Sequence, residues 1–380
     1  MMQVQLSFWE HERYFSNIDV VIAGSGIVGL NAALCLKEKS PKLNILVAER
    51  GALPSGASTK NAGFACFGSV SELIDDLGKM SEEEVFALVG KRFEGLKRLR
   101  SRIGDGGMHF EENGGYEVFD QEKNYQECAD KIADFNLKLK NIIGRNEVYK
   151  NADGEISRFG FKNVKHMIVC PAEGQIDTGL MMEALIEKVK SAGIKILNGL
   201  HITKFETESD GLVLQTENGY SIKTKRLLIC TNGFAKQLLP NEDVEPARAQ
   251  VLITSPIPSL KIKGTFHYDK GFYYFRNVGD RVLFGGGRNL DLLTENTSEH
   301  SITPLIQNKL DELLREMILP GIKYSVEQRW SGTMGVGAKK EPIVKKIQEH
   351  VYCAVRMGGM GIALGSLTGE EAADLVKQSF

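Results

Sequence analysis

Gly24, Gly26 and Gly29 stand in GxGxxG spacing inside the run GSGIVG, and Glu49 follows about 20–25 residues further on. Glycine at the first position lets the chain turn tightly. At the second it removes the side chain that would keep a pyrophosphate off the backbone. At the third it lets a helix pack closely on a strand. The backbone of Ser25 and Ile27, between these glycines, belongs to the same cradle. N–H groups in the first turn of a helix have no partners within the helix and carry partial positive charge, so they attract a diphosphate. A carboxylate at Glu49 is suited to ribose hydroxyls and repels a 2′-phosphate, which disfavours NADP. The pattern leaves FAD and NAD both open. A glycine-rich turn without a ligand is the bland alternative.

These residues need a strand, a helix and a second strand to position them. The β-branched run IDVVIA (18–23) reads as a buried parallel strand entering the glycine turn. Ile27, Leu30, Ala33 and Leu34 follow with helical spacing, and Pro41 ends the helix. LNILVA (43–48) is the second strand and delivers Glu49 to its end.

Downstream, helical spacing extends over 71–103 and 125–143, and 304–317 reads as another helix. Segments 246–255, 272–276 and 281–285 read as strands, with a hairpin turn at 277–280. LLIC (227–230) is a short apolar strand ending in Thr231, Asn232 and Gly233. That ending brings backbone to the sheet edge where α/β proteins bind ligands. Near the C-terminus, glycines at 358, 359, 361, 365 and 369 precede and enter a helix whose start suits negative charge.

The composition excludes several classes. Of 380 residues, 42% are hydrophobic and 25% charged, so the chain is an ordinary globular one and neither disordered nor collagen-like. Its formal charge of −2 offers no global attraction to nucleic acid or an anionic membrane. Six scattered cysteines without a CxxC pair suit free thiols in a reducing, cytoplasmic setting. Glycines and Asn31 interrupt the most apolar stretch, 20–36, so no transmembrane segment is expected. The seven histidines form no motif, no metal site is expected, and most histidines are expected at the surface.

Four further segments make the sequence resemble the FAD-dependent amino-acid and amine oxidoreductase family, the D-amino-acid oxidase, glycine oxidase and sarcosine oxidase group. GALPSGASTKNAGFACFG (51–68) is similar to the family's small-residue loop under the flavin. CPAEGQIDTGLMMEALIEKVKSAGIKIL (170–197) resembles its strand-helix-strand return, and LLICTNGFAKQLLP (227–240) its second FAD-contacting turn. VYCAVRMGGMGIALGSLTGEEAADLV (351–376) resembles its closing glycine-rich loop and helix, in a pattern closest to the γ-glutamylputrescine oxidoreductase branch.

The resemblance implies a mixed α/β and α+β fold. A Rossmann-like FAD-binding domain with a parallel sheet (1–90, 160–240, 332–380) would interleave with a substrate domain on an antiparallel sheet (91–159, 241–331). It implies noncovalent FAD, because no cysteine lies in 329–340, where sarcosine oxidases attach theirs. It extends the cofactor contacts to Arg50, Ser58, Thr59, Lys60, Asn61, Ala62, Gly63, Thr231, Asn232, Gly233, Gly332, Gly358, Gly359, Met360, Gly361 and Ile362. The reaction implied is oxidation of a C–N bond in a small-molecule amine or amino-acid derivative. Hydride passes to flavin N5 and water hydrolyses the imine; no general base is obligatory. Oxygen or an unidentified carrier reoxidises the flavin. The lysine that activates oxygen in sarcosine oxidases is replaced near Leu283, which argues against fast oxygen chemistry.

On the substrate side, alternation in FYYFR sends Tyr274 and Arg276 to one face and Tyr273 and Phe275 to the other. Arg276 is therefore a candidate carboxylate anchor. Arg248 and Arg288 recur at family positions and read equally as structural ion-pair partners. Met334 and Met360, or a glycine beside Met360, occupy places where glycine-oxidase-like members clamp a carboxylate with arginine, which disfavours a small α-amino acid as substrate. Two alternative readings are an NAD-dependent dehydrogenase or flavin hydroxylase built on the first motif, and a tRNA-modification module. The run Lys339, Lys340, Lys345, Lys346 is the only support for the latter, and such a run reads more simply as a solvated face with no nucleic-acid partner.

Overall fold

The computed structural model describes residues 5–380. Its core is a sheet in the order Ile343–Gln348, Val351–Val355, Ser221–Ile229, Ile18–Ala23, Ile45–Glu49, Lys195–Asn198. The four pairings from Val351–Val355 across to Lys195–Asn198 are parallel. Every residue of Ile45–Glu49 is buried, as expected of a central parallel strand covered on both faces. The second sheet runs Val326–Val336, Glu245–Thr254, Arg281–Gly286, Tyr273–Val278, Thr265–Tyr268, Gly115–Phe119, His166–Cys170, Lys150–Asn151. It is antiparallel except between Thr265–Tyr268 and Gly115–Phe119. A parallel sheet with helices beside a largely antiparallel one is the mixed fold expected above.

Several elements differ in extent from the sequence expectation. The helical stretch 71–103 is two helices, Val70–Leu77 and Glu82–Ile103. Ser81 caps the second: its hydroxyl accepts from the Glu84 N–H while the Glu84 carboxylate accepts from the Ser81 N–H. The apolar strand at 227–230 is the end of the longer Ser221–Ile229, whose first half alternates polar and apolar as one side of a hairpin. The strand at 272–276 is Tyr273–Val278, and its ladder runs to a Val278–Arg281 pair, so the turn tightens onto Gly279 and Asp280. Gly279 has φ +58°, the left-handed backbone such a hairpin needs. The helix at 304–317 is Pro304–Leu313 continued by a wider π turn, Leu314–Ile318.

The segments also cross the expected boundary at 90. Leu88, Leu96 and Leu99 of Glu82–Ile103 share an apolar core with Ile22, Leu30 and Ala372. A Cβ at Gly95 would stand 2.1 Å from the Ala363 carbonyl oxygen, so only glycine lets this helix lie against Gly361–Lys377 at that point. His166–Cys170, expected with the parallel sheet, pairs with Gly115–Phe119 in the other. Among the described residues no helix is long and apolar enough to cross a membrane. All six cysteines are free and buried.

Candidate functional site: a cleft between two uncapped helix ends

The first strand enters the glycine turn as its motif requires. Gly24 has φ +106°, and a Cβ there would lie 2.9 Å from the Cys230 carbonyl oxygen. A Cβ at Gly29 would stand 2.1 Å from the Gly24 carbonyl oxygen, so the helix Ile27–Lys39 is pressed directly onto the turn that starts it. Gly26 is the N-cap of that helix and supplies no side-chain cap. The Ser58 hydroxyl accepts from the Ile27 N–H at 3.0 Å.

Glu49 closes the same corner and is 5% exposed. Its Oε2 accepts from the Ser25 N–H (3.1 Å) and hydroxyl (2.8 Å), and its Oε1 from the Gly51 N–H (2.9 Å) and the Ser55 hydroxyl (3.0 Å). Arg50, next in sequence, lies over the Phe234 ring at 3.4 Å.

A second helix, Gly361–Lys377, begins at Met360, again with no side-chain cap. The turn before it is tied down by Asn232, whose Oδ1 accepts from the N–H groups of Arg356 (3.0 Å) and Met357 (3.1 Å). Gly358 and Gly359 have φ +57° and +86°, which L side chains rarely adopt. The Trp330 indole donates to the Lys60 carbonyl at 3.0 Å, fastening the loop at 57–63 to the strand that carries Gly332 and Met334.

Both helix starts open on one cleft of about 400 Å³, within the usual size of a ligand site. Gly24, Gly26, Ile27, Glu49, Arg50, Ser58, Lys60, Asn61, Ala62 and Gly63 line it, as do Thr231, Asn232, Gly233, Gly332, Gly358, Gly359, Met360, Gly361 and Ile362. Tyr274 and Met334 line it too. Ser25, Gly29 and Thr59 do not: Ser25 is turned to Glu49, Gly29 is packed on Gly24, and the Thr59 hydroxyl donates to the Pro54 carbonyl at 2.7 Å. The buried hydroxyls of Thr231 and Thr333, in residues that also line the cleft, have no protein partner. Two uncapped helix starts, an acid at the strand end and unpartnered hydroxyls suit a dinucleotide that supplies the missing acceptors and donors.

The substrate side departs from the sequence expectation at Arg276. Alternation holds, since Tyr273 and Phe275 enter the apolar core of the second sheet. Arg276 is nevertheless absent from the cleft wall. Its guanidinium donates to the carbonyls of Ala62, Ile176 (2.9 Å) and Asn277 (3.3 Å), and burial pushes its pKa down to about 10. It braces the loop and leaves no fork for a carboxylate. Arg248 forms the ion pair expected of it, with Glu295 at 2.7 Å. Arg288, by contrast, lines the cleft and has no hydrogen-bond or ion-pair partner among the described residues.

Sequence reasoning missed the polar wall formed by Glu72, Arg92, His267 and Lys340, all of which line the cleft. His267, 6% exposed, and His350 are buried; the other five histidines are exposed or half-buried, in keeping with the expectation that most lie at the surface. Lys340 pairs with Asp76, and the other lysines of the basic run each meet an acid: Lys339 with Glu84, Lys345 with Glu242, Lys346 with Glu349. Each lysine of that run thus has an acidic neighbour. A Ser-x-x-Glu signal at Ser69–Glu72 was available for Glu72. For the others, nothing in the local sequence marks a residue that reaches a distant wall.

Comparison with known proteins agrees with this geometry. The chain is 22% identical to γ-glutamylputrescine oxidoreductase of Escherichia coli, over 94% of this chain and 83% of that protein. Its fold superposes on glycine oxidase from Geobacillus kaustophilus with a TM-score of 0.75, at 22% identity and covering 95% of each chain. For L-proline dehydrogenase from P. horikoshii the TM-score is 0.74 at 20% identity, covering 95% of this chain and 93% of that one. The DAO family model, described as FAD dependent oxidoreductase, matches residues 19–375. The chain belongs to this family of FAD-dependent oxidoreductases.

Proposed function

We propose that the protein oxidises the C–N bond of a small amine or amino-acid derivative, using FAD held noncovalently in the cleft. The observation that carries the reading is the pair of uncapped helix starts on one cleft, with Glu49 at the end of the adjoining strand. When bound, FAD supplies the acceptor for the hydride that leaves the carbon beside nitrogen. The chain does the rest. The Gly26 N–H and the positive end of the helix it caps would hold the diphosphate, beside the Ser58 hydroxyl that accepts from the Ile27 N–H, and Glu49 would take ribose hydroxyls. The N-terminus of Gly361–Lys377 places its partial positive charge where negative charge gathers on the reduced ring. Phe64, Tyr274, Met334 and Met360 keep water from the reacting carbon, and the methionines adapt the wall to the substrate. Arg288 replaces Arg276 as the group free to meet a substrate carboxylate.

The interleaved division belongs to this proposal. The stretches 1–90, 160–240 and 332–380 serve the cofactor and 91–159 and 241–331 the substrate, except that Glu82–Ile103 goes with the first and His166–Cys170 with the second. Similarity to γ-glutamylputrescine oxidoreductase supports an amine substrate. The test is turnover of the holoprotein with amines, N-methyl amino acids, D-amino acids and γ-glutamyl amines. A carbonyl product formed in step with amine loss supports the reading, and its absence across the panel contradicts it. Hydrogen peroxide in the same assay distinguishes oxygen from another electron acceptor.

A further inference from the structure

The wall of the cleft built by Val70–Leu77 and Thr265–Tyr268 holds two polar groups that the cofactor cradle does not use. His267 and Tyr274 are cross-strand partners on the face opposite the Phe266 and Phe275 core. Both line the cleft, and the Phe64 ring meets both edge-on, with centroids 5.2 Å from His267 and 5.7 Å from Tyr274. The imidazole is therefore fixed between aromatic neighbours. Its Nδ1 faces Glu72 Oε2 across 3.8 Å, longer than a hydrogen bond, and its buried Nε2 has no partner. A buried imidazole nitrogen left open in a cavity wall is a vacancy that a ligand completes at lower cost than the protein leaves it.

Glu72 stands beside it with a quarter of its side chain, 23%, exposed to the cleft. Oε2 caps its own helix by accepting from the Ser69 N–H at 2.9 Å, while Oε1 has no partner among the described residues. Two nearby cations, Lys340 and Arg92, lean towards Asp76, and the Arg92 Nε has no partner. Lys340 pairs with Asp76, and Arg92 donates to the Phe67 carbonyl at 3.1 Å and lies 4.0 Å from Asp76. Burial pushes the Glu72 carboxyl up, and the Ser69 N–H and the charges of Lys340 and Arg92 oppose it. Burial lowers the His267 pKa and keeps the ring neutral, so one ring nitrogen remains an acceptor. The wall thus presents a carboxylate oxygen beside a neutral imidazole.

We infer that Glu72 and His267 form an acceptor pair that binds a nitrogen of the substrate through its N–H groups. This rests on the reading of the cleft as an amine-oxidising site and adds the residues that recognise the nitrogen. A protonated or neutral amine offers two or three N–H donors in a small volume, which matches one carboxylate oxygen plus one imidazole nitrogen. A carboxylate offers none and is repelled by Glu72, so any carboxylate on the same molecule is left to Arg288. Hydrogen bonds of this charge-assisted kind are the stronger class, and the burial of His267 strengthens them.

The test uses the FAD-loaded protein and calorimetric titration with n-butylamine and, separately, with butyrate. Glu72→Gln keeps the helix cap, since glutamine serves the same capping box, but removes the charge. His267→Asn removes the imidazole in a second, independent protein. Each variant is checked for an unchanged flavin spectrum and melting temperature. The expected result is n-butylamine binding to the wild type, weakened about tenfold or more in each variant, with butyrate binding not weakened. Failure of n-butylamine to bind the wild type, or equal binding in wild type and both folded variants, overturns the inference. Amine binding with no bleaching by n-butylamine or by any amine of the panel leaves the pair standing and contradicts the reaction. Bleaching with unaltered variants contradicts the pair and leaves the reaction standing.

Discussion

Glu49 and Ser25 are joined twice, through the Ser25 N–H at 3.1 Å and its hydroxyl at 2.8 Å, both donated to one carboxylate oxygen. The end of the second strand is thereby locked to the middle of the glycine turn. In the proposed function the same carboxylate takes the cofactor ribose, so that a single side chain would shape the cradle and grip the sugar. Glu49→Ala is expected to weaken FAD by about tenfold to a hundredfold, the loss of one or two hydrogen bonds to a charged group. Flavin fluorescence released on dilution measures it. Undiminished affinity would separate Glu49 from the cofactor.

Gly29 tests the turn from the other side. With the Gly24 carbonyl oxygen 2.1 Å from the position of its missing Cβ, Gly29→Ala forces strand and helix apart. The expected cost is about 3 kcal/mol, at the upper end for overpacking, with loss of bound flavin. Gly106→Ala meets nothing within 4 Å, and its effect is expected to stay within about 0.5 kcal/mol. Thermal melting of both variants checks the contrast.

Arg276 and Arg288 divide two roles that their sequence contexts could not separate. Arg276→Ala strands the carbonyls of Ala62 and Ile176 in a buried loop and is expected to cost about 3 kcal/mol of stability. Arg288→Ala is expected to leave stability nearly unchanged and to raise KM about tenfold for amines that carry a carboxylate, but not for those without one. Melting curves and steady-state kinetics on paired substrates decide. A carboxylate-specific defect in Arg276→Lys with normal melting would reverse the assignment.

Much of this was legible in the sequence, for reasons that particular residues make plain. The cradle at Gly24, Gly26, Gly29 and Glu49 could be read because each residue's task is local to one strand-turn-helix unit. Tyr274 could be placed on the cleft face because a strand alternates with a fixed period. The destination of Arg276 could not be read, since the carbonyls it meets lie 214 and 100 residues away in sequence. His267 was hidden for the same reason: a lone histidine in a strand carries no sign of the helix residue opposite it. The break before Ser81 was written in its Ser-x-x-Glu box, but the continuous apolar spacing on either side obscured it.

Two buried carboxyls behind the cleft make stability depend on pH. Burial raises Glu173 to about 8 and Glu117 to about 7, outweighing the hydrogen bonds that Glu173 accepts from Phe67 and Gly68 and that Glu117 accepts from Ser71. Both folded-state values exceed the ordinary 4.5, so the folded chain binds more protons than the unfolded one between these limits. Stability from these groups is full below about 4.5 and is lost as pH rises through 7 to 8. Glu173→Gln keeps an acceptor for both N–H groups and is expected to flatten that decline. Denaturant melts across pH 5–9, at steps of about one unit, would show it; an unaltered slope would remove Glu173 as its source.

In the proposed function this cleft holds FAD and an amine reduces it there. The most direct measurement is anaerobic titration of the FAD-loaded protein with the amine panel, following the yellow absorbance of the oxidised flavin. Bleaching by at least one amine, return of colour when an electron acceptor is admitted, and release of the flavin into the supernatant on acid precipitation are expected. Protein that takes up no FAD under any loading condition, or a bound flavin that every amine leaves oxidised, would contradict it.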